Sequence, residues 1–384
     1  MTQVYIITGE PSGDLLGVRL MQAIRRLRPD IAFKGVGGER MIAEGLNPLF
    51  PQSDLAVFGL WEILPKIMLI FRRLKQTVQA VETDRPAVVI TIDSPDFCFR
   101  VGKRLKRLGI PLLHYVAPSV WAWRPGRAKK IAQFLTHILT LFKFEPPYFE
   151  KEGLAATFVG HPIIENGADR GDGQQFRAKY GLAGDVPVLT VLPGSRKSEV
   201  RYLLSIFKEV VERARQTQPT LVVALPTMPT VEKTVRDSIA NWDVPVHVVT
   251  SDGDKYDAFA ASTAALGASG TVNLEVALAN LPMVMAYKIS PVTAFLYRSF
   301  INIRLFSPIN VLLKREAVPE CVQENCTADN IAAKLLPLLQ SEQNRAVQKQ
   351  AYAELRPLLQ EGQETPSDRA ARVILSYLPH AGTC

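Results

Sequence analysis

Short apolar runs alternate with longer helical patterns along this 384-residue chain, and the alternation occurs twice. A loop-rich stretch over residues 160–185 separates the two series and contains His161-Pro162, Asn166-Gly167 and an Asp/Gly-rich run. Strands that alternate with helices indicate βαβ units and parallel sheets. Ligands of open parallel sheets bind beyond the carboxyl ends of the strands. The sequence therefore predicts two α/β halves of similar size whose strand ends face each other across a cleft.

The predicted elements divide the chain into residues 1–165, residues 166–345 and a helical tail over residues 346–384. The predicted strands of the two halves are residues 4–8, 32–36, 87–92, 112–116, 138–141 and 156–159, followed by 186–192, 220–225, 244–249, 264–266 and 283–287.

Composition narrows the class of protein. Hydrophobic residues make up 47% of the chain and charged residues 21%, which excludes a disordered protein. The cysteines are few and form no CxxC pair, so we expect neither a disulfide framework nor a structural zinc site, and a reducing compartment fits best. No secretory signal or transmembrane helix is predicted. The net charge of +8 favours an anionic partner, without choosing among nucleic acid, lipid and a phosphorylated substrate.

The loop over residues 9–14 (GEPSGD) follows the first predicted strand and precedes a helix. Its carboxylates, Glu10 and Asp14, oppose an anion, so a sugar hydroxyl or a cationic group suits the loop better than a phosphate. The loop has neither the Walker A nor the GxGxxG pattern. An ordinary turn in which Ser12 or Asp14 caps the helix is an equally good interpretation.

A second carboxylate motif, Asp93-Ser94-Pro95-Asp96, follows the apolar run 87–92. A buried parallel strand that ends in a carboxylate places it at the ligand-binding edge of the sheet. Partial burial there suits a general base that works near neutral pH. We predict that Asp93 is such a base and that Asp96 caps the next helix.

The segment over residues 114–124 (HYVAPSVWAWR) gathers His114, Trp121, Trp123 and Arg124 at the end of another apolar strand. Tryptophan rings offer platforms for sugars, and arginine binds phosphate. A structural histidine and tryptophans that pack an inter-domain face are the alternatives. The concentration of these residue types favours a functional segment.

In the second half, Gly194, Ser195 and Arg196 follow the first strand and precede a helix. Glycine allows close approach of the backbone, serine offers a hydroxyl, and the arginine fork suits a diphosphate. The positive charge makes this a better anion site than the loop over residues 9–14, although a plain turn is the alternative.

A similar turn contains Ser269, Gly270 and Thr271, whose backbone N–H groups suit a phosphate. Glu275 lies one helical turn after Thr271, so both face the same side. A carboxylate at that position can bind ribose hydroxyls. A capped helix with a glutamate that favours the helix dipole is the alternative.

Two other features concern metals and membranes. Asp252-Gly253-Asp254 matches the DxD metal motif, but we interpret it as a chance match and expect neither a metal nor a cofactor. The stretches 58–74 and 283–313 mix apolar, aromatic and basic residues, as interfacial membrane helices do. Ordinary amphipathic helices are the alternative.

Together, these motifs resemble in order and spacing those of the lipid-A-disaccharide synthases. Those enzymes are inverting glycosyltransferases with two Rossmann-like domains, the glycosyltransferase B fold. The resemblance runs from about Thr8 to the tail and is most specific over residues 114–124. It implies transfer from UDP-2,3-diacylglucosamine to the 6-hydroxyl of 2,3-diacylglucosamine 1-phosphate, giving a β-1,6-linked disaccharide 1-phosphate and UDP.

The resemblance also implies which substrate each domain binds and what individual residues do. The first domain holds the acceptor and carries a membrane-associating helix, and the second binds the UDP-sugar. Asp93 is the base, Glu10 and His114 position the acceptor or Asp93, and Asn310 helps at the nucleotide. The tail packs back on the first domain or is exchanged in a homodimer. The expected location is the cytoplasm, peripherally on the anionic inner face of the inner membrane.

Two other functions fit parts of the pattern. An enzyme like UDP-N-acetylglucosamine 2-epimerase shares the architecture and the donor, and a non-catalytic nucleotide-binding module could lie on a membrane surface. The Trp-rich segment and the apolar, basic helix favour the transferase. Nucleic acid is not expected as a partner, because no aromatic and basic module such as an RRM is visible.

Overall fold

A computed structural model describes residues 2–55, 60–121, 126–288 and 305–379, without the side chains of residues 60–66, Pro11 and Ser198. The chain divides into two compact units. Unit 1 comprises Met1–Pro162 and Leu359–Cys384, and unit 2 comprises Ile163–Leu358.

The sheet of unit 1 has seven strands in the order β3-β2-β1-β4-β5-β6-β7, and every neighbouring pair is parallel. The strands are β1 (Thr2–Thr8), β2 (Ile31–Val36), β3 (Leu46–Pro48), β4 (Val88–Ile92), β5 (Leu112–Tyr115), β6 (His137–Thr140) and β7 (Ala155–Phe158). Between the strands lie α1 (Pro11–Leu27), α2 (Glu39–Ala43), α3 (Leu60–Asp84), α4 (Pro95–Leu105), α5 (Arg127–Ala132) and α6 (Pro146–Glu150).

Both faces of this sheet are buried. In β1, Val4 and Ile6 pack into one apolar cluster, whereas Tyr5 and Ile7 pack into another. Successive side chains of a strand point to opposite faces, so a nearly continuous apolar strand needs helices on both sides.

The sheet of unit 2 has six parallel strands in the order β10-β9-β8-β11-β12-β13. They are β8 (Val188–Leu192), β9 (Val222–Pro226), β10 (Val246–Val249), β11 (Ala264–Ala268), β12 (Met283–Tyr287) and β13 (Glu320–Val322). The helices that follow α6 along the chain are α7 (Gly173–Tyr180), α8 (Lys197–Thr217), α9 (Pro229–Ile239), α10 (Asp252–Ala261), α11 (Val272–Leu278), α12 (Pro308–Leu313), α13 (Ala328–Gln340), α14 (Glu342–Ala353), α15 (Arg356–Leu359) and α16 (Pro366–Leu375).

The two parallel α/β sheets and the C-terminal helices confirm the predicted fold class. Two short edge strands, β3 and β13, were not predicted, and α7 lies in the stretch that we interpreted as a linker. Among the described residues, the helices include none with the length and apolar character needed to cross a bilayer.

The boundary of the tail differs from the prediction. Helix α14 belongs to unit 2, so the units divide at residues 358/359 rather than 345/346. The side chain of Gln348 explains this, because it accepts a hydrogen bond from Met283 N (2.8 Å) and donates one to Met283 O (3.1 Å). Helix α16 packs in unit 1, where Ala370 and Ile374 share an apolar cluster with Leu20 and Ile24 of α1.

Candidate active site

The carboxylate motifs of unit 1 lie on neighbouring strands. Strand β4 lies between β1 and β5, with Ile92 in register with both Thr8 and Tyr115. Because the strands are parallel, the loops that follow all three emerge at one edge of the sheet. The turn that carries Glu10 contacts the one that follows Asp93, since a Cβ at Gly9 would lie 2.8 Å from Ser94 Oγ.

Asp93 sits on a strained turn between β4 and α4. Asp93 and Ser94 have φ angles of 52° and 43°, in the left-handed region that residues other than glycine rarely adopt. Strain of this kind concentrates at functional sites. The Asp93 N–H donates to Tyr115 O (3.0 Å), and Ser12 Oγ donates to Asp93 Oδ2 (3.2 Å). The half-buried carboxylate is thus fixed from its backbone and from its side chain.

Glu10 is electrostatically coupled to Asp93. Partial desolvation, the Asp93 carboxylate and, to a smaller extent, Asp96 raise the pKa of Glu10, while the nearby Ser94 hydroxyl opposes them. A neighbouring carboxylate disfavours the charged form of an acid. This edge of unit 1 therefore brings two carboxylates close enough to influence each other.

Asp14 has a structural function. Its Oδ1 accepts from the N–H groups of Gly38 (2.9 Å) and Met41 (3.1 Å), and its Oδ2 accepts from Arg40 N (3.2 Å). The buried carboxylate therefore holds the start of α2 and is not available to an acceptor. Asp96 is not the predicted cap either, because Ser94 occupies the N-cap position of α4 and Asp96 is exposed in its first turn.

His114 is buried within the sheet and has no exposed surface. A hydrogen bond of 2.8 Å joins its Nδ1 to Thr91 Oγ1, and the Phe99 ring centroid lies 4.6 Å from its own. Burial lowers the pKa of His114 to about 3, so the imidazole is neutral at physiological pH. The burial of His114 does not fit direct contact with the acceptor, and its predicted alternative function, the positioning of Asp93, stays a prediction.

Trp121 is held by a buried carboxylate. Its Nε1 donates to Glu145 Oε1 (3.2 Å), and Glu145 Oε2 accepts from the N–H groups of Leu141 (3.1 Å) and Phe142 (3.0 Å). Burial raises the pKa of Glu145 to about 7, although all three hydrogen bonds oppose that shift. Trp123 and Arg124, also predicted to be functional, lie outside the described residues.

In unit 2, the two predicted phosphate loops are neighbours. Strand β8 pairs with β11, and Leu192 is in register with Gly267. Gly194 has a φ of 104°, and a Cβ there would lie 3.6 Å from Ala268 Cβ. A Cβ at Gly270 would meet nothing within 4 Å, so the backbone of the second loop is open to a ligand.

Arg196 is the cation of this edge. Its side chain is 76% exposed, and Nη1 contacts Glu199 Oε1 at 2.8 Å. Ser195 and Thr271 are exposed, and Ser269 Oγ donates to Phe306 O (3.4 Å). Exposed hydroxyls and a guanidinium beside the open turn of Gly270 form a site suited to phosphate oxygens.

Glu275 is buried in a hydrogen-bonded network. Its Oε1 accepts from Asn166 Nδ2 (2.7 Å) and Tyr256 Oη (3.0 Å), and its Oε2 accepts from Lys255 Nζ (3.0 Å). Burial opposes the charge on Lys255, but Glu275, Tyr256 and Asp252 together outweigh it and raise the pKa of the ammonium. An ionised carboxylate has about four acceptor positions, so room for one further donor remains on Oε2.

Asn310 is fully engaged in its own unit. Its Nδ2 donates to Val318 O and Glu320 Oε1 (both 2.7 Å), and its Oδ1 accepts from Ala317 N (2.8 Å) and Val318 N (2.9 Å). These four bonds use both donors and both acceptor positions of the buried amide. The predicted contact of Asn310 with the nucleotide therefore does not fit this geometry.

Comparisons with known proteins identify the family. A family model described as lipid-A-disaccharide synthetase (LpxB) matches residues 4–374. Lipid-A-disaccharide synthase of Rhodospirillum centenum is 52% identical over 378 residues, covering 98% of this chain and 94% of the relative. The chain belongs to the lipid-A-disaccharide synthase family. It shares the function of that family, a glycosyltransferase step in lipid A biosynthesis, and the predicted function is confirmed at this level.

A second relative and two solved structures extend the comparison. The Paramagnetospirillum magneticum synthase is 47% identical and covers 98% of this chain and 97% of its own. MnaA of S. aureus, solved with UDP, has a TM-score of 0.69 at 14% identity, covering 98% of this chain and 97% of that one. MurG of Acinetobacter baumannii has a TM-score of 0.60 at 13% identity and covers 98% and 100%. These structures show that the chain has the glycosyltransferase B type of fold. The family result favours the transferase over the epimerase-like alternative.

Several polar residues of the two edges were not predicted. Glu199 lies three residues after Arg196, in the first turn of α8, and the spacing of an N-terminal helix cap could have drawn attention to it. Glu145, Lys255 and Tyr256 give no comparable signal, because the contacts that join Glu145 to Trp121, and Lys255 and Tyr256 to Glu275, span 19 to 24 residues of sequence. Asn166 is 109 residues from Glu275, and only the fold brings the two together.

Proposed function

We propose that this chain transfers the diacylglucosamine of UDP-2,3-diacylglucosamine to the 6-hydroxyl of 2,3-diacylglucosamine 1-phosphate. The products are the β-1,6-linked disaccharide 1-phosphate and UDP. The observation that carries the proposal is the different chemistry of the two edges. Carboxylates follow the strands of unit 1, whereas the exposed Arg196 guanidinium and the open backbone turn of Gly270 follow strands of unit 2. A hydroxyl that must lose a proton suits the first edge, and a diphosphate suits the second.

Asp93 is the general base of the proposed mechanism. Its carboxylate takes the proton of the 6-hydroxyl while that oxygen attacks the anomeric carbon and the bond to the UDP oxygen breaks. One displacement inverts the anomeric centre, so no covalent intermediate forms. Ser12 orients Oδ2 of the base, and Glu10 positions the acceptor. The transition state resembles an oxocarbenium ion, as in glycosidases.

The leaving UDP develops negative charge at the edge of unit 2. Arg196 and the backbone N–H groups of residues 194–195 and 270–271 stabilise that charge, with the hydroxyls of Ser195, Ser269 and Thr271 beside them. Glu275 accepts a ribose hydroxyl at its remaining acceptor position. These groups perform the proposed reaction without a cofactor.

Because the proposed substrates carry acyl chains, we expect the enzyme to bind them at a membrane surface. Helix α3 exposes Ile67 (41%), Met68 (78%) and Phe71 (48%), with Arg72 and Lys75 also exposed. Apolar side chains beside cations suit the surface of an anionic bilayer. We propose peripheral contact through this part of α3 on the cytoplasmic face of the inner membrane, and a homodimer that exchanges the tail as an alternative to the packing of α16 in its own chain.

The test is an assay of the purified protein with both substrates in mild detergent, with EDTA present. We expect UDP and the disaccharide 1-phosphate in equal amounts. UDP without disaccharide would replace the proposed acceptor with water or another hydroxyl. Conversion of UDP-N-acetylglucosamine alone would support the epimerase-like alternative, and nucleotide binding without turnover would support the binding module.

A further inference from the structure

Glu199 is a carboxylate that lies inside an anion-binding edge. It occupies the first turn of α8, which begins directly after Arg196. The Glu199 side chain is 14% exposed, whereas that of its partner Arg196 is 76% exposed. A nearly buried carboxylate beside a proposed diphosphate site repels the anionic ligand. Its presence there therefore calls for a function that offsets the repulsion.

The Gly194 turn makes room for this carboxylate. A Cβ built on Gly194 would lie 2.8 Å from Glu199 Oε2 and 3.2 Å from Glu199 Cβ. The glycine also has a φ of 104°, so a side chain at this position is disfavoured both by the close contact with Glu199 and by the backbone angle. Glu199 is thus enclosed under the turn, and its orientation is set by the fold of the loop rather than by solvent.

The enclosed Glu199 carboxylate restricts the orientation of the Arg196 side chain. An exposed arginine has several rotatable bonds, and ordering such a side chain when a ligand binds lowers affinity. The contact of 2.8 Å between Nη1 and Glu199 Oε1 restricts the guanidinium before the ligand arrives. Five N–H groups point outward from a guanidinium, so one bond to Glu199 leaves donors for a phosphate.

We propose that Glu199 is a positioning residue that holds the Arg196 guanidinium over the turn of Gly194, ready for the diphosphate of the donor. The inference rests on the proposed nucleotide site of unit 2 and adds to it a residue that does not touch the substrate. It acts through Arg196 alone.

Helix α9 offers a matched control. Glu232 lies in the first turn of α9 and pairs with Arg236 at 2.8 Å, but this pair is spaced i,i+4 and both side chains are more than 30% exposed. Neither residue lies in the proposed nucleotide site. Variants of Glu232 therefore report what the loss of an ordinary helical ion pair does to the protein.

The experiment is calorimetric titration of UDP into the wild type, Glu199→Ala, Glu199→Gln, Arg196→Ala, the double variant Arg196→Ala/Glu199→Ala, and Glu232→Ala. We expect Glu199→Ala to weaken UDP binding about 2- to 10-fold, the effect of one unordered side chain. Glu199→Gln keeps an acceptor of the same shape and should restore most of that loss. The double variant should bind as Arg196→Ala does, and Glu232→Ala as the wild type does. In the assay, Glu199→Ala should lower kcat/KM for the donor by a similar factor, and Glu199→Gln should restore most of that loss.

Four results would overturn the proposal. Unchanged binding by Glu199→Ala would mean that Glu199 does not position Arg196, and tighter binding by both Glu199 variants would mean that the carboxylate only repels the ligand. A loss in the double variant equal to the product of the single losses would show that Glu199 acts independently of Arg196. If Arg196→Ala itself leaves UDP affinity unchanged, the nucleotide site is wrong and the inference fails with it. If Glu199→Ala does not fold, Glu199→Leu, which keeps bulk under the turn but offers no acceptor to Arg196, takes its place with the same expected loss.

Discussion

The two units present the same kind of sheet edge with opposite chemistry. In unit 1, three residues other than glycine take left-handed backbone angles at this edge: Asp93, Ser94 and Val116, at 52°, 43° and 79°. In unit 2, the corresponding sharp turn is made by Gly194 at 104°. At the Asp93 turn, backbone strain accompanies a carboxylate at the strand end, whereas at the Gly194 turn a glycine takes the left-handed angle without strain. This difference fits the proposed proton transfer at the first edge and the proposed anion binding at the second.

The buried carboxylates of the two units differ in how their negative charge is balanced. In unit 2, Glu275 is neutralised by Lys255. In unit 1, the hydrogen bonds that Glu145 accepts from described residues all come from neutral N–H groups, and burial raises its pKa to about 7. The electrostatics of unit 1 therefore respond to pH near neutrality, and this difference, like that of the edges, can be tested by substitution.

Of the substitutions that test this comparison, Asp93→Asn should have the largest effect, and the effect should be on turnover. An amide cannot accept the hydroxyl proton, so we expect kcat to fall by about 10²- to 10⁴-fold. UDP affinity, which depends on unit 2, should stay within error of the wild type. Steady-state kinetics and calorimetry measure the two quantities on the same preparation.

Asp96→Asn is the matched control for that change, since Asp96 is exposed in the first turn of α4. Near-wild-type turnover by Asp93→Asn would remove the base from this position and make Glu10 the next candidate.

Arg196→Ala tests the other edge. Loss of a charge-assisted hydrogen bond should weaken UDP binding by about 1.5–3 kcal/mol. Arg236→Ala, which breaks an exposed pair on α9, should leave the affinity unchanged. Unaltered nucleotide affinity of Arg196→Ala would contradict the division of chemistry between the edges.

The sequence allowed the loops at the strand ends to be predicted, because parallel strands bring those loops to one edge whatever the packing around them. It did not reveal which polar side chains of those loops are already occupied. His114 lies within β5, where only the packing around the strand decides whether a polar residue is buried. The Asp14 carboxylate accepts from N–H groups 24 to 27 residues away, and the Asn310 amide oxygen accepts from the N–H of Ala317. Partners at these spacings leave no periodic pattern in the sequence.

Glu145→Gln should change how the stability of unit 1 depends on pH. The folded pKa of about 7 lies above the ordinary value of 4.5, so the proton on Glu145 stabilises the folded state. That contribution is complete below the ordinary value and is lost as the pH rises through 7. From pH 5 to pH 8, the wild type should therefore lose roughly 2 kcal/mol relative to the variant.

Hydrogen exchange of peptides that cover β6, corrected for intrinsic rates, measures this difference. Glu232→Gln in unit 2 is the control and should show no such slope. Parallel pH profiles of the wild type and Glu145→Gln would mean that Glu145 is ionised across this range.

Ser12→Ala should have the smallest effect. Its hydroxyl makes one hydrogen bond to Asp93 Oδ2, at 3.2 Å and in an exposed setting. A bond of this kind contributes about 0.5–1.5 kcal/mol, so kcat should fall roughly 2- to 10-fold. Because Ser12 acts only through the base, the Ser12→Ala/Asp93→Asn double variant should be no slower than Asp93→Asn alone. If the two losses multiply instead, Ser12 contacts the acceptor directly, and the edge of unit 1 binds substrate through its hydroxyl as well as through its carboxylates.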